Sequence, residues 1–123
     1  MPMHFLLLIV SIIPLSILSQ PEINFKKKVH KFSKTKEGLV LEHDFLFSNS
    51  GNKPLLIQDI KVSCSCTKFN YQEKEILPGE SSEIHILFNT ENKYGWQDRK
   101  LIVFSNAKNN PETIRFKVMV DNK

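Results

Sequence analysis

Cys64 and Cys66 are the residues of this 123-residue chain whose type and spacing are best suited to chemistry. Residues i and i+2 of an extended strand face the same way and lie about 6.7 Å apart. A disulfide needs Cβ atoms about 3.8 Å apart, so the two cysteines can be bridged only where the backbone bends. We expect a disulfide between them to be strained and easily reduced.

The spacing leaves three interpretations of the cysteine pair open. The first is structural, with two small side chains that fill the end of a core strand, either reduced or joined to each other. The second is a site for a soft metal ion such as Cu(I) or Zn(II), in which His43 and His85 are the candidates for further ligands. The third is a redox dithiol, although the sequence contains no Cys-x-x-Cys and no thioredoxin-like βαβ pattern.

Other catalytic patterns are missing from the sequence. It contains no Gly-x-Ser-x-Gly elbow and no glycine-rich phosphate-binding loop. Glu42, Asp44 and Glu83 alternate with apolar residues, which is typical of the solvent-facing side of a strand. We therefore expect a protein that is not an enzyme and that carries no cofactor.

The elements that must position these residues are short strands. Apolar residues occupy every second position, the period of a half-buried strand, in several stretches. The clearest lie within residues 39–47, 84–88 and 114–120, and turns rich in Asn, Gly and Pro separate them. Six or seven such strands, with no helix after residue 20, predict an all-β fold. We expect a single immunoglobulin-like antiparallel β-sandwich of about seven strands.

The strand that leads to the cysteines changes phase part-way. Leu55 and Ile57 lie on one phase, whereas Ile60 and Val62 lie on the other. A β-bulge at residues 58–59 returns all these side chains to one face. The pattern therefore predicts that both cysteines continue the buried face of a central strand.

The first 20 residues predict export. They contain no Lys, Arg, Asp or Glu, and residues 5–18 are apolar apart from Ser11, Pro14 and Ser16. The run is shorter than the roughly 20 residues of a transmembrane helix and fits the apolar region of a secretory signal peptide. We predict a signal peptide over residues 1–19 and a sandwich domain over residues 20–123. The mature protein is then periplasmic or extracellular and has no transmembrane segment.

Charge and aromatic residues indicate the kind of partner. The net charge is +4, and apart from the run at residues 26–28 the lysines are scattered, which is typical of solvated strand faces. We exclude nucleic acid as a partner, because the chain is predicted to be exported and the lysine run has no aromatic platform. Residues 90–96 are predicted to form a long loop in which Tyr94 and Trp96 contact a partner. In the alternative, Trp96 folds back and caps the core.

The run from His43 to Leu55 resembles the F-x-F-x-N-x-G-x-x-P-L opening of DUF1573, a bacterial domain of unknown function. The similarity continues through residues 63–67, which read Ser-Cys-Ser-Cys-Thr, and covers nearly the whole chain after residue 20. The family usually has Gly where this chain has Ser65. The resemblance implies an exported immunoglobulin-like domain, akin to those of periplasmic chaperones and of sperm-protein and ciliary modules, with no established activity.

Two functions from different classes follow from these patterns. The first is an exported, non-enzymatic module that binds another protein of the cell envelope or has a structural role there. The alternative is a thiol-based metal-binding or redox protein centred on the Cys64-Ser65-Cys66 unit. They differ in whether the cysteine pair or the segment at residues 90–96 carries the function.

Overall fold

The computed structural model describes residues 19–122, and nine β-strands occur in that part of the chain. They are β1 (Ile23–Phe25), β2 (Val29–Lys31), β3 (Thr35–Lys36), β4 (Val40–Asn49), β5 (Ile57–Val62), β6 (Thr67–Tyr71), β7 (Ser81–Asn89), β8 (Gly95–Ser105) and β9 (Glu112–Asp121). The described part has no helix that is long and apolar enough to cross a membrane. The predicted signal peptide, apart from Ser19, lies outside the described residues.

The strands form two sheets. In sheet one the order is β1-β4-β7-β6, and in sheet two it is β2-β9-β8-β5, with β3 also paired to β9. The long strands pair antiparallel within each sheet, as β4 does with β7 and β8 does with β9. The predicted all-β sandwich is therefore confirmed.

The core lies between the sheets and follows from the period-two alternation. Every second residue of β9 from Ile114 to Val120 is buried, and the residues between them are only half-buried. In the same way, β7 buries Ile84, Ile86 and Phe88. Removing these apolar side chains from water is the main driving force that holds the sheets together. The residues of opposite phase form the outer faces of the two sheets.

Two short strands depart from the antiparallel pattern. β2 and β3 both pair parallel with β9, so that Val29 lies beside Arg115 and Thr35 lies beside Val120. After β1 the chain crosses from the edge of sheet one to the edge of sheet two, which brings β2 alongside β9 in the same direction. Strands of two or three residues are too short to show a period-two pattern, so the sequence does not reveal them.

The β-bulge predicted at residues 58–59 is confirmed. Ile57 pairs with Ser105 and Asp59 pairs with Phe104, and both Ile57 and Ile60 are buried. The prediction that the cysteines continue this strand is wrong. β5 ends at Val62, and the chain turns through residues 63–66 before it starts β6 in the other sheet. The strand cannot continue because the chain crosses between the sheets at this point.

The loop predicted over residues 90–96 is shorter than expected. β8 starts at Gly95, and Trp96 is already within the strand, opposite Met119 of β9. Asn92 and Gly95 have positive φ angles of 62° and 80°, which allow the chain to reverse within a few residues. The start of β8 is hard to read from the sequence because its first buried residue is the polar Gln97.

Candidate functional site

Cys64 and Cys66 form a disulfide in the turn between β5 and β6. Their Cα atoms are 5.2 Å apart, so the turn supplies the bend that their spacing requires. The Cys66 amide donates to Cys64 Sγ at 3.2 Å, and the Thr67 amide donates to the Cys64 carbonyl at 3.1 Å. The Cys66 carbonyl accepts from the Asn89 amide at 3.0 Å, which ties the turn to the end of β7.

The disulfide lines an open cavity of about 480 Å³ on the outer face of sheet one. We call this cavity the disulfide groove. It is bounded by Cys64, Cys66, Val40, Lys68, Leu87 and Lys93, together with neighbouring residues of the turns. Leu87 of β7 lies opposite Lys68 of β6, so an apolar side chain and a cation from adjacent strands both face the disulfide.

His85 and Asp44 form a hydrogen-bonded pair on the outer face of sheet one. His85 Nδ1 lies 2.5 Å from Asp44 Oδ1, and the two residues are directly opposite each other in the pairing of β7 with β4. The hydrogen bond to Asp44 raises the pKa of His85, and the negative charges of Asp44, Glu42 and Glu83 raise it further. This histidine is therefore held by carboxylates and is separate from the cysteine turn.

His43 points to the inner side of β4 and stacks on His30 of β2. The two ring centroids are 3.6 Å apart and the ring planes differ by 10°. Burial lowers the pKa of both rings, and the positive charge of Lys27 lowers that of His30 further. The stack joins an edge strand of sheet two to sheet one. Sequence patterns miss it because the two histidines meet across the sheets, where no local spacing relates them.

The structure does not bring the four predicted metal ligands together. Cys64 and Cys66 line the disulfide groove, His85 pairs with Asp44, and His43 lies on the other face of the sheet. Within residues 19–122, no group of three or more His, Cys, Asp or Glu side chains is arranged to hold a metal ion.

The two predicted contact residues, Tyr94 and Trp96, are exposed. Tyr94 is 72% exposed and Trp96 is 61% exposed, so the alternative in which Trp96 caps the core is wrong. Trp96 lies on the outer face of sheet two because β8 buries the next residue, Gln97. The Lys31 ammonium lies 5.3 Å from the centre of the indole, and Gln97 Nε2 donates to the Tyr94 carbonyl at 3.0 Å. The aromatic pair therefore projects from a fixed strand end.

A family model described as "Protein of unknown function (DUF1573)" matches residues 23–120. The chain belongs to the DUF1573 family. The matched region includes the disulfide groove, the histidine stack and the exposed aromatic pair, and it confirms the family resemblance seen in the sequence. No curated protein matches this DUF1573 chain.

Several solved structures share the fold of this DUF1573 chain. A protein of unknown function from Porphyromonas gingivalis W83 aligns with a TM-score of 0.72 and 14% identity, over 83% of this chain and 48% of that chain. The PapD-like domain 7 of human CEP192 aligns with a TM-score of 0.63 and 11% identity, over 85% and 87% of the two chains. The secreted serine protease VesC from Vibrio cholerae aligns with a TM-score of 0.63 and 16% identity, over 80% and 23%.

These likenesses support the immunoglobulin-like class of the fold and nothing beyond it, because the identities are low. The chain corresponds to only part of the Porphyromonas and Vibrio proteins, since it spans 48% and 23% of their lengths.

Proposed function

We propose that this DUF1573 chain is an exported, non-enzymatic module that binds another protein of the cell envelope through the Tyr94–Trp96 end of sheet two. The observation that carries the proposal is the 61% exposure of Trp96 on a strand of the sandwich. Tryptophan is among the residues that contribute most to binding energy in protein interfaces. An aromatic side chain held at a rigid strand end also loses little conformational freedom when a partner binds.

The surroundings of Trp96 support an interface. Met119 lies directly across from it in β9, and Lys31 covers one side of the ring. Aromatic residues and methionine are enriched in interfaces relative to the rest of the surface. Lys117, which pairs with both Lys31 and Asp98, adds a further cation. We therefore expect a partner that offers an apolar pocket with acidic residues around it.

Two observations support export. Residues 5–18 have the composition of a signal peptide. The Cys64–Cys66 disulfide suits an oxidising compartment such as the periplasm.

The geometry around His85 supports a role without catalysis. The His85–Asp44 pair has the hydrogen bond of a general base and its orienting carboxylate, but a hydrolase of this kind also needs a nucleophile that donates to the histidine. Ser82 lines the same shallow cavity and donates its hydroxyl to Gln72 at 3.2 Å. The pair is better explained as a surface ion pair.

The proposal is tested with residues 1–123, carrying a C-terminal tag, in the organism that encodes the chain. We expect the chain in the envelope fraction, and we expect its intact mass to be that of a polypeptide that begins at Gln20. A specific protein should co-purify with it. With that protein purified, we expect Tyr94→Ala/Trp96→Ala to weaken binding about tenfold or more, or about 1.4 kcal/mol. The melting temperature should stay unchanged because both side chains are exposed.

Leu77→Ala is the matched control, because Leu77 is an exposed apolar residue, 48% accessible, outside the strands. It should bind the partner like the wild type. Equal binding by the control and the aromatic variant would rule out this surface as the interface. An unprocessed chain in the cytoplasmic fraction would rule out export.

A further inference from the structure

We propose that the Cys64–Cys66 disulfide is a thiol–disulfide exchange site, at which a cysteine-bearing polypeptide bound in the disulfide groove attacks Cys66. This site is on sheet one and is independent of the interface proposed on sheet two. The partner is a polypeptide with two thiols, and the exchange transfers its two electrons to the disulfide.

The disulfide is poorly suited to a purely structural role. It joins residues only two positions apart, and the stabilisation that a disulfide gives the folded state decreases as the closed loop becomes shorter. The turn is also fixed without the bond. The Thr67 amide donates to the Cys64 carbonyl at 3.1 Å, and the Asn89 amide donates to the Cys66 carbonyl at 3.0 Å. The backbone therefore has its hydrogen bonds whether the cysteines are oxidised or reduced.

The sulfur atoms are placed where a partner can reach them. Both cysteines are half-buried and line the disulfide groove, with the apolar side chains of Val40 and Leu87 also exposed to it. Buried structural cysteines are inert, whereas reactive ones lie in partly exposed, positively charged surroundings. Lys68 and Lys93 supply positive charge at the groove, where Glu91 is the one carboxylate in the lining.

The hydrogen bond within the turn decides which sulfur leaves. The Cys66 amide donates to Cys64 Sγ at 3.2 Å. A donor stabilises a thiolate more than it stabilises a neutral sulfur, and a stabilised thiolate is the better leaving group in exchange. The incoming thiolate therefore attacks Cys66, and Cys64 leaves.

The exchange is balanced in two steps. The partner's first thiolate bonds to Cys66 Sγ, the Cys64–Cys66 bond breaks, and its electron pair stays on Cys64 Sγ. The partner's second thiolate then attacks the partner's first sulfur atom, which is bonded to Cys66 in the mixed disulfide. This attack closes a disulfide within the partner and releases Cys66 as a thiolate. The partner's dithiol has become a disulfide, the Cys64–Cys66 disulfide has become a dithiol, and the protons lost by the partner's thiols are taken up by the two cysteines.

The edge of sheet one provides a way to position a polypeptide at this site. β6 begins at Thr67, directly after Cys66, and it is the last strand of sheet one in the order β1-β4-β7-β6. Its free side can pair with an extended peptide by strand addition.

The test uses purified mature protein, dithiothreitol as the dithiol and reduced glutathione as the monothiol. We expect dithiothreitol to reduce the disulfide in the folded protein at a rate within about tenfold of the rate in denaturant. The melting temperature should change on reduction by less than about 4 °C. After brief exposure to glutathione and an acid quench, tandem mass spectrometry should place the glutathione adduct on Cys66.

Charge variants test the groove itself. Glutathione is an anion, so Lys68→Gln/Lys93→Gln should slow its attack several-fold at low ionic strength. Lys61→Gln, on the outer face of sheet two near Phe104, is the matched control and should leave the rate unchanged. Reduction only after unfolding, an adduct on Cys64, or equal rates in the groove variant and the control would each overturn the proposal.

Discussion

At the scale of single residues, Asn49 connects distant parts of the chain through one buried amide. Its side chain is completely buried at the end of β4. Nδ2 donates to the Lys53 carbonyl at 2.7 Å and to the Ile76 carbonyl at 2.9 Å. Oδ1 accepts from the amides of Gly51 at 3.0 Å and Glu22 at 3.3 Å. The full hydrogen-bonding capacity of the amide is therefore used.

Asn49→Ala should lower the free energy of unfolding by about 1–3 kcal/mol, because it leaves buried carbonyl and amide groups without partners. Urea denaturation of the wild type and the variant measures the difference. Asn52→Ala is the control, since Asn52 is exposed in the same turn and its backbone amide, which the substitution keeps, bonds to the Gln20 carbonyl at 3.2 Å. A similar loss in both variants would contradict the role given to Asn49.

Single residues also show how far the sequence predicts the candidate site. Cysteine and tryptophan are rare in the chain, so the sequence identifies Cys64, Cys66 and Trp96 as residues of interest. It does not identify their neighbours. Lys93 lies next to the disulfide only because strand pairing brings the turn after β7 beside the turn before β6. Such contacts depend on sheet topology, which no local spacing encodes.

At the scale of elements, the turn between β4 and β5 packs closely on the chain segment before β1. A Cβ atom built on Gly51 would overlap the Gln20 carbonyl and lie 2.6 Å from the Glu22 amide nitrogen. These are backbone atoms, so the overlap cannot be relieved by a side-chain rotation. Glycine is needed here because of this close approach of two backbones.

Gly51→Ala should therefore destabilise the protein by about 1–3 kcal/mol, the usual cost of overpacking. It should also displace β1, because Ile23 pairs with Asn49 next to the turn. Hydrogen exchange of the β1 amides and the melting temperature measure the two effects. Ser50→Ala is the neighbouring control, since Ser50 is exposed and already carries a Cβ. Unchanged exchange in β1 together with an unchanged melting temperature would contradict the close approach of the two backbones at Gly51.

Elements differ in how well the sequence predicts them, and the reason is length. β4, β7 and β9 span nine or ten residues each and show clear alternation. The bulge in β5 is also readable, because Ile57 and Ile60 can face the same core only if the strand contains one extra residue between them. β2 and β3 are too short to carry a period. The end of β5 is fixed by the crossing to the other sheet, which is a non-local event.

At the scale of the whole molecule, charged side chains form an acidic cluster on one sheet and a basic cluster on the other. The carboxylates of Glu42, Asp44 and Glu83 surround His85 on sheet one. On sheet two, Lys100 pairs with Arg115 and Lys31 pairs with Lys117 along adjacent strands. The net charge of +4 is therefore unevenly distributed, with carboxylates clustered around His85 and cations paired along β2, β9 and β8. These side chains lie on the outer faces because neighbouring residues of one strand point to opposite sides, and the apolar residues occupy the side that faces the core.

The stack of His30 on His43 is a contact between the two sheets, and it makes stability depend on pH. Burial lowers the pKa of both rings below the ordinary value for histidine. The positive charge of Lys27 lowers the pKa of His30 further. The charge of His30 lowers the pKa of His43 further, and Asp44 acts on His43 in the opposite direction. A group with a lowered pKa binds more protons in the unfolded chain, so the folded state loses stability as the pH falls below about 6.5, the ordinary pKa of histidine. His85 has a raised pKa and the opposite sign, but it is exposed and its effect is screened.

We therefore expect the free energy of unfolding to fall as the pH is lowered from about 7.5 to about 5. Urea denaturation at several pH values measures this slope. His30→Gln/His43→Gln should flatten the slope, because the variant has no imidazoles to protonate between the sheets. His85→Gln is the control and should keep the loss of stability at low pH. His85 has a raised pKa, so its contribution to the free energy of unfolding is lost only as the pH rises. If the free energy of unfolding of the double variant still falls at low pH, the pH dependence comes from carboxylates. The histidine stack would then be a packing contact alone.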